Sequence, residues 1–126
     1  MSERKFYLCE LCGNLVGLIR EGGGELACCG QPMKLLVPNT TDASQEKHVP
    51  VVTVDGDIVR VRVGSAEHPM TEAHYIQWIY LCTENGGQRR CLHPGDAPAA
   101  EFVLNGETPV AVYAYCNLHG LWEKTL

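Results

Sequence analysis

Val51-Val52-Thr53-Val54-Asp55-Gly56-Asp57-Ile58-Val59-Arg60-Val61-Arg62-Val63 reads as two short β-strands joined by a tight turn. β-Branched residues fill both arms, and such side chains suit a pleated, half-buried surface. Asp55-Gly56 between the arms is a hairpin signal, because glycine takes the positive φ that a tight turn demands. The second arm alternates, with Val59, Val61 and Val63 facing one way and Arg60 and Arg62 the other. A period of two with one apolar face means a sheet whose one side lies on a core.

The same grammar continues toward the C-terminus. Strands are expected over residues 75–82, 88–92, 101–104, 110–115 and 121–124, with turns at Asn85-Gly86-Gly87, Pro94-Gly95-Asp96 and Asn105-Gly106. Seven short strands closely spaced by turn residues fit an immunoglobulin-like β-sandwich. Toward the N-terminus, Phe6-Tyr7-Leu8 and residues 14–19 read as strands flanking Cys9-Glu10-Leu11-Cys12, followed by Gly22-Gly23-Gly24 and Cys28-Cys29-Gly30. A unit this small rarely stands without a metal or disulfides. Val37-Pro38-Asn39-Thr40-Thr41-Asp42 reads as a linker, with Pro38 stopping regular structure and Asp42 a candidate cap. The expected organisation is a four-cysteine domain over residues 1–37 and a sandwich over 38–126, a mainly β chain.

Composition narrows the function. The 126 residues are 45% apolar, carry a net charge of −5 and contain no Lys/Arg block beyond two residues, which argues against nucleic-acid binding. An anionic substrate would be repelled by the mean field, so anion chemistry here needs a local positive charge. There is no long apolar run and no leader-like N-terminus, so the expectation is a cytoplasmic protein without a membrane span. Seven cysteines, an odd number, are clustered; in a reducing compartment clustered thiols are metal ligands more often than bridges.

Cys9 and Cys12 form a metal knuckle that turns both sulfurs toward one point. Cys28 and Cys29 are adjacent and cannot repeat that geometry, so the tetrahedron they complete should be distorted. Iron in a rubredoxin-like sulfur environment and structural zinc both fit such a set. The second constellation is His48, His68, His74 and Cys116-Asn117-Leu118-His119. Cys116 and His119 stand within reach of one ion, and the tight turn expected between His68 and His74 returns both rings to one side. Four imidazoles and a thiolate make five ligands, too many for the tetrahedral habit of structural zinc. Five leave a six-coordinate ion one open position. Imidazole and thiolate both suit iron, and a thiolate donates electron density that favours electron transfer to a bound oxygen species.

Together these constellations resemble desulfoferrodoxin, the two-iron form of superoxide reductase, over essentially the whole chain. The marks are Cys9/Cys12 with Cys28-Cys29-Gly30, Glu46-Lys47-His48-Val49-Pro50-Val51, His68-Pro69-Met70 with His74-Tyr75-Ile76-Gln77-Trp78, Pro94-Gly95-Asp96-Ala97-Pro98 and Cys116-Asn117-Leu118-His119-Gly120. The resemblance implies a desulforedoxin-like N-terminal domain whose four cysteines bind a rubredoxin-type iron, centre I. It implies a second iron, centre II, with His48, His68, His74 and His119 equatorial and Cys116 axial. The implied activity is oxidoreductase chemistry that detoxifies superoxide to hydrogen peroxide with one external electron and two protons. The residue matching Lys47 attracts superoxide and assists the protonated intermediate; the one matching Glu46 ligates the ferric resting iron. Rubredoxin or a similar small carrier is the implied donor, and a homodimer the implied assembly. Physical reasoning supports both roles, since Lys47 adjoins a ligand and a hard carboxylate prefers the ferric ion.

Three features depart from the pattern or add to it. His93 stands where the family carries lysine and is read as a surface residue. Cys82 and Cys91 are extra; with Gly86-Gly87 as the hairpin loop they would lie opposite each other, and are read as free buried thiols. The competing functions are an electron-transfer metalloprotein, two-iron or blue-copper-like, with no open substrate position, and a zinc-ribbon interaction module.

Overall fold

The structure, a computed structural model, describes residues 4–126; residues 1–3, the start of the expected first domain, lie outside it. The described residues form two compact units, divided between Val37 and Pro38.

In the first unit, β1 (Lys5–Leu8) pairs with β2 (Leu15–Leu18) and with β5 (Lys34–Leu35) in a three-stranded sheet, order β2-β1-β5. The loop from β1 to β2 is the expected knuckle. It is closed by Cys9 N–H donating to Asn14 O (2.8 Å) and Gly13 N–H donating to Cys9 O (2.8 Å). β3 (Ala27–Cys28) and β4 (Gln31–Pro32) form a minimal ribbon whose two turn residues are Cys29 and Gly30. Both have positive φ, +53° and +77°, which is the pattern of a mirror-image hairpin turn. Glycine takes that conformation freely; Cys29 does so at a cost of about 1–2 kcal/mol. That strain is how two adjacent cysteines come to face one point.

The second unit begins with a one-turn helix, α1 (Gln45–His48), and continues as β6 (Pro50–Asp55), β7 (Ile58–Val63), β8 (Ile76–Thr83), β9 (Gly86–Cys91), β10 (Ala99–Val103), β11 (Pro109–Cys116) and β12 (Gly120–Thr125). One sheet has the order β10-β7-β6 and the other β12-β11-β8-β9, all neighbours antiparallel. Val59, Val61 and Val63 of the first sheet pack with Ile79, Leu81, Val112 and Ala114 of the second in a shared core. Arg60 on the other face pairs with Asp55 and Glu101 at the surface. Burying one such valine contributes roughly 1.5–3 kcal/mol. This is the seven-stranded immunoglobulin-like sandwich expected from the alternation.

Turn details differ from the sequence reading. Asp55 pairs with Ile58, so the first hairpin turns on Gly56-Asp57 rather than Asp55-Gly56. Thr83 pairs with Gly86, so the next turns on Glu84-Asn85 rather than Gly86-Gly87. Cys82 therefore faces Gly87 and Cys91 faces Trp78. The two thiols are not opposed; Cys82 is buried, but Cys91 is exposed. Residue 42 does not cap α1: Ser44 holds the N-cap position, without a side-chain cap. The expected linker is tied down at Asn39, whose backbone N–H donates to Leu121 O and whose side chain exchanges two hydrogen bonds with the backbone of Glu123.

The topology sets where function can sit. The start of β6 pairs with the end of β7 (Pro50 with Val63), and the end of β11 pairs with the starts of β8 and β12 (Cys116 with Ile76 and Gly120). All five candidate donors of the second unit therefore emerge at one end of the sandwich. Gly64 fastens α1 there. At φ +82°, its absent Cβ would lie 2.4 Å from Ala66 O, 2.7 Å from Glu46 O and 2.7 Å from the Lys47 carbonyl carbon. Gly64 N–H donates to Val49 O, and Ala66 N–H and the Ser65 hydroxyl both donate to Glu46 O. Gly64→Ala should lower unfolding stability by about 2–4 kcal/mol, from left-handed strain plus overpacking against backbone; chemical denaturation of the variant measures it.

Candidate metal centres

The four thiols of the first unit converge. Cys9, Cys12, Cys28 and Cys29 place their sulfurs within 4.8 Å of one another, with Cys12 to Cys28 at 3.7 Å and Cys28 to Cys29 at 3.9 Å. A metal–sulfur bond of about 2.3 Å gives a tetrahedron with edges of about 3.8 Å, so both spacings suit one ion. All are free thiols. Cys12 N–H donates to Cys9 Sγ at 3.5 Å, and this bond holds the Cys9 thiol down to about 6. Cys29 is pushed up to about 12 by sharing its proton with Cys12 and Cys9. One thiolate forms readily and its neighbours then resist ionising; a bound cation removes that conflict.

The second unit gathers His48, His68, His74, Cys116 and His119, with one donor atom of each within 4.8 Å of the others. The rings form a closed cycle. Centroids are 4.7 Å apart for His48–His68, 4.7 Å for His68–His74, 5.0 Å for His74–His119 and 4.9 Å for His119–His48, each pair nearly perpendicular. His48 Nδ1 donates to Ser44 O (2.6 Å) and His68 Nδ1 to Pro69 O (2.7 Å). In the neutral rings those bonds place the proton on Nδ1 and leave Nε2 with its lone pair. Yet the two Nε2 atoms stand 3.1 Å apart, and His119 Nδ1 lies 3.1 Å from His48 Nε2. A square of imidazole nitrogens around an ion at about 2.1 Å has edges of about 3.0 Å. His74 Nε2 is buried without any hydrogen-bond partner. These are nitrogens arranged for a cation.

Cys116 completes the set, fully buried, with Sγ 4.0 Å from His119 Nδ1. Burial pushes its thiol up, while the N–H groups of Leu118 and His119 pull it down; the same amides would hold a thiolate. Burial first, then the neighbouring rings, lowers His68 to about 4. Burial is also the main cause that lowers His48 and His74, and the Lys47 charge adds to both. Lys47 and Glu46 are exposed on α1 beside His48. His93 is exposed, hydrogen-bonded through its N–H to Asp96, and outside the cluster.

Supports for the cluster come from Trp122, read from the sequence only as core, and from the Pro94–Gly95 turn. Trp122 stacks on His48 (4.8 Å, 23°) and its Nε1–H donates to His119 O (3.0 Å). The Pro94–Gly95 segment is anchored by Gly95 N–H donating to Met70 O (2.9 Å), within the connection that carries His68 and His74. The stacking of Trp122 on His48 joins residues far apart in sequence, so nothing local marks that contact.

Against this geometry, residues 2–36 match the family model described as desulfoferrodoxin, N-terminal domain, and residues 40–125 match the one described as desulfoferrodoxin. The chain belongs to the desulfoferrodoxin family. It is 52% identical over 126 aligned positions to a desulfoferrodoxin of Syntrophotalea carbinolica, covering 98% of each chain. It is 50% identical over 118 positions to a desulfoferrodoxin homolog of Archaeoglobus fulgidus, covering 94% of each. Among solved structures, the superoxide reductase from Treponema pallidum superposes with a TM-score of 0.82 at 38% identity, covering 98% of this chain and 100% of that one. The two donor sets fit two iron centres, one of four sulfurs and one of four nitrogens and a sulfur.

The imidazole shifts carry a sign. In the metal-free chain the folded state stays neutral where the unfolded state protonates, so stability is complete above the usual imidazole value of 6.5. It should fall progressively as pH drops from there toward about 4, the folded value of His68. Urea unfolding of the metal-free chain across this interval measures the loss, and a flat profile would contradict the burial of these rings.

Proposed function

We propose that this chain is a superoxide reductase, converting superoxide, one electron and two protons to hydrogen peroxide without releasing dioxygen. The observation that carries the reading is the single cluster of four imidazoles and a thiol at one end of the sandwich, with a lysine on the adjoining helix. Iron held by Cys116, His48, His68, His74 and His119 supplies the one-electron reduction. Such an ion, held by five protein donors, would still have room for a small anion. The Cys9, Cys12, Cys28 and Cys29 set is the second iron site in this reading.

The protein's own groups shape the encounter. On a chain of net charge −5, the Lys47 ammonium is the local cation that draws an anion toward the cluster. Its influence on His48 and His74 puts its charge in electrical contact with two ligands. Glu46 sits one residue further back, with its backbone carbonyl pinned by Ser65 and Ala66 and its carboxylate exposed. That carboxylate is a hard donor that would suit a ferric ion held by the cluster. The electron comes from rubredoxin or a similar small carrier, and the working form is a cytoplasmic homodimer that removes superoxide under oxidative stress. The near-complete span shared with the desulfoferrodoxin of Syntrophotalea carbinolica and the superoxide reductase from Treponema pallidum supports the reductase activity.

Stopped-flow mixing of the reduced, iron-loaded chain with superoxide tests it. Wild type should react at a rate that falls as salt rises. Lys47→Ala should be slower by roughly tenfold or more and much less sensitive to salt. Equal second-order rates at every ionic strength would remove Lys47 from the mechanism. Azide should shift the absorption of the histidine–cysteine centre; an unchanged spectrum would favour an electron-transfer module with no open position.

A further inference from the structure

His74 differs from His48 and His68 in how it is held. The rings of His48 and His68 are steered by Nδ1 hydrogen bonds to backbone carbonyls, and His119 is held through its carbonyl by Trp122. Among the described residues no hydrogen bond orients the His74 ring, and its Nε2 is the buried atom without a partner. Its placement must come from the backbone on either side.

That backbone is bracketed by one side chain. Asn117 Oδ1 accepts from Tyr75 N–H (2.9 Å), and Asn117 Nδ2 donates to Ala73 O (3.0 Å). The Asn117 backbone N–H also donates to Tyr75 O (3.3 Å). The β8–β11 ladder shifts register between Tyr115 and Cys116 and ends there, with Cys116 opposite Ile76. Past that irregularity the amide of Asn117 takes the place of a peptide group, offering one acceptor and one donor to residues 75 and 73. Thr71 closes the opposite side: its backbone carbonyl and its hydroxyl oxygen accept from His74 N–H, and its hydroxyl donates to His74 O.

We infer that Asn117 is a positioning residue that couples the thiolate ligand to one imidazole ligand, fixing His74 relative to Cys116 across the connection between β7 and β8. The residue after Cys116 spans to both peptide neighbours of His74, so any shift of one ligand is transmitted to the other. Side-chain chemistry explains the residue type. Aspartate keeps the acceptor for Tyr75 N–H but sets a carboxylate against the Ala73 carbonyl; alanine loses both contacts. The inference rests on the reading of this cluster as an iron centre.

The test uses the full chain loaded with iron and reads two quantities: the thiolate-to-iron absorption of the ferric histidine–cysteine centre, and the rate at which that centre yields iron to a ferrous chelator. Asn117→Ala should release iron at least about tenfold faster than wild type, the usual consequence of losing a group that orients a ligand, and should shift the absorption. Asn117→Asp, close to isosteric, should fall between them and carries the test if the alanine variant does not fold. Thr83→Val is the control. It removes a buried hydroxyl bonded to Glu107 (2.6 Å) at the far end of the same two strands, and should lower the melting temperature while leaving release and absorption at wild-type values. Wild-type release and an unshifted band in the Asn117 variants would overturn the inference, as would equal acceleration by Thr83→Val. A wild-type chain that takes up no iron at the cluster is a separate result, which overturns the metal reading itself.

Discussion

Nitrogen lone pairs facing one another across about 3 Å repel, and burial deprives them of the water that would separate them. The second unit holds His48, His68 and His119 in this arrangement, and His74 joins them within 4.8 Å with one nitrogen buried and unpartnered. An unsatisfied buried polar atom costs free energy unless another interaction meets it. A cation at the centre of the cycle meets all four at once, and the same requirement explains the surroundings. Carbonyls of Ser44 and Pro69 take the outer protons, Trp122 covers one ring face, and the Leu118 and His119 amides face the Cys116 sulfur.

Such an arrangement needs a rigid frame, and the sandwich supplies it through topology more than through any one contact. Three segments far apart in sequence are brought to one end because antiparallel pairing sets the start of one strand beside the end of the next. The strain is local: Gly64 accepts a left-handed backbone under the α1 segment, and the β11 ladder breaks where Cys116 turns in. Charge is used in the same economical way. A chain of net −5 places one ammonium, Lys47, beside the ligands. In the proposed reaction that position is what would attract a small anion where the overall field opposes it.

The first unit solves a simpler problem with fewer residues. Its three-stranded sheet is too small to hold a large core, and exposed Leu11 and Ile19 show how little apolar surface it buries. Four converging sulfurs supply what the core lacks, once a metal replaces their protons. Cys29 in a left-handed conformation is the local cost of closing that set with adjacent residues.

Much of this was legible from residue order. Alternation in 58–63 is a property of strand geometry itself, so it reveals the sheet and its buried face without knowledge of neighbours. Cysteine and histidine are unusual enough in clusters that their identity and spacing disclosed both donor sets. Turn registers were less legible: glycine marks a turn but does not say which two residues form it, and a slip of two positions separated Cys82 from Cys91. What tertiary structure alone decided is how each donor is held. Asn117 reaching back to Ala73 and Tyr75, Trp122 against His48 and Gly64 beneath Glu46 are contacts between residues that no local period links. Their partners are chosen by how strands pair and where ladders end, and that is settled only when the whole chain packs.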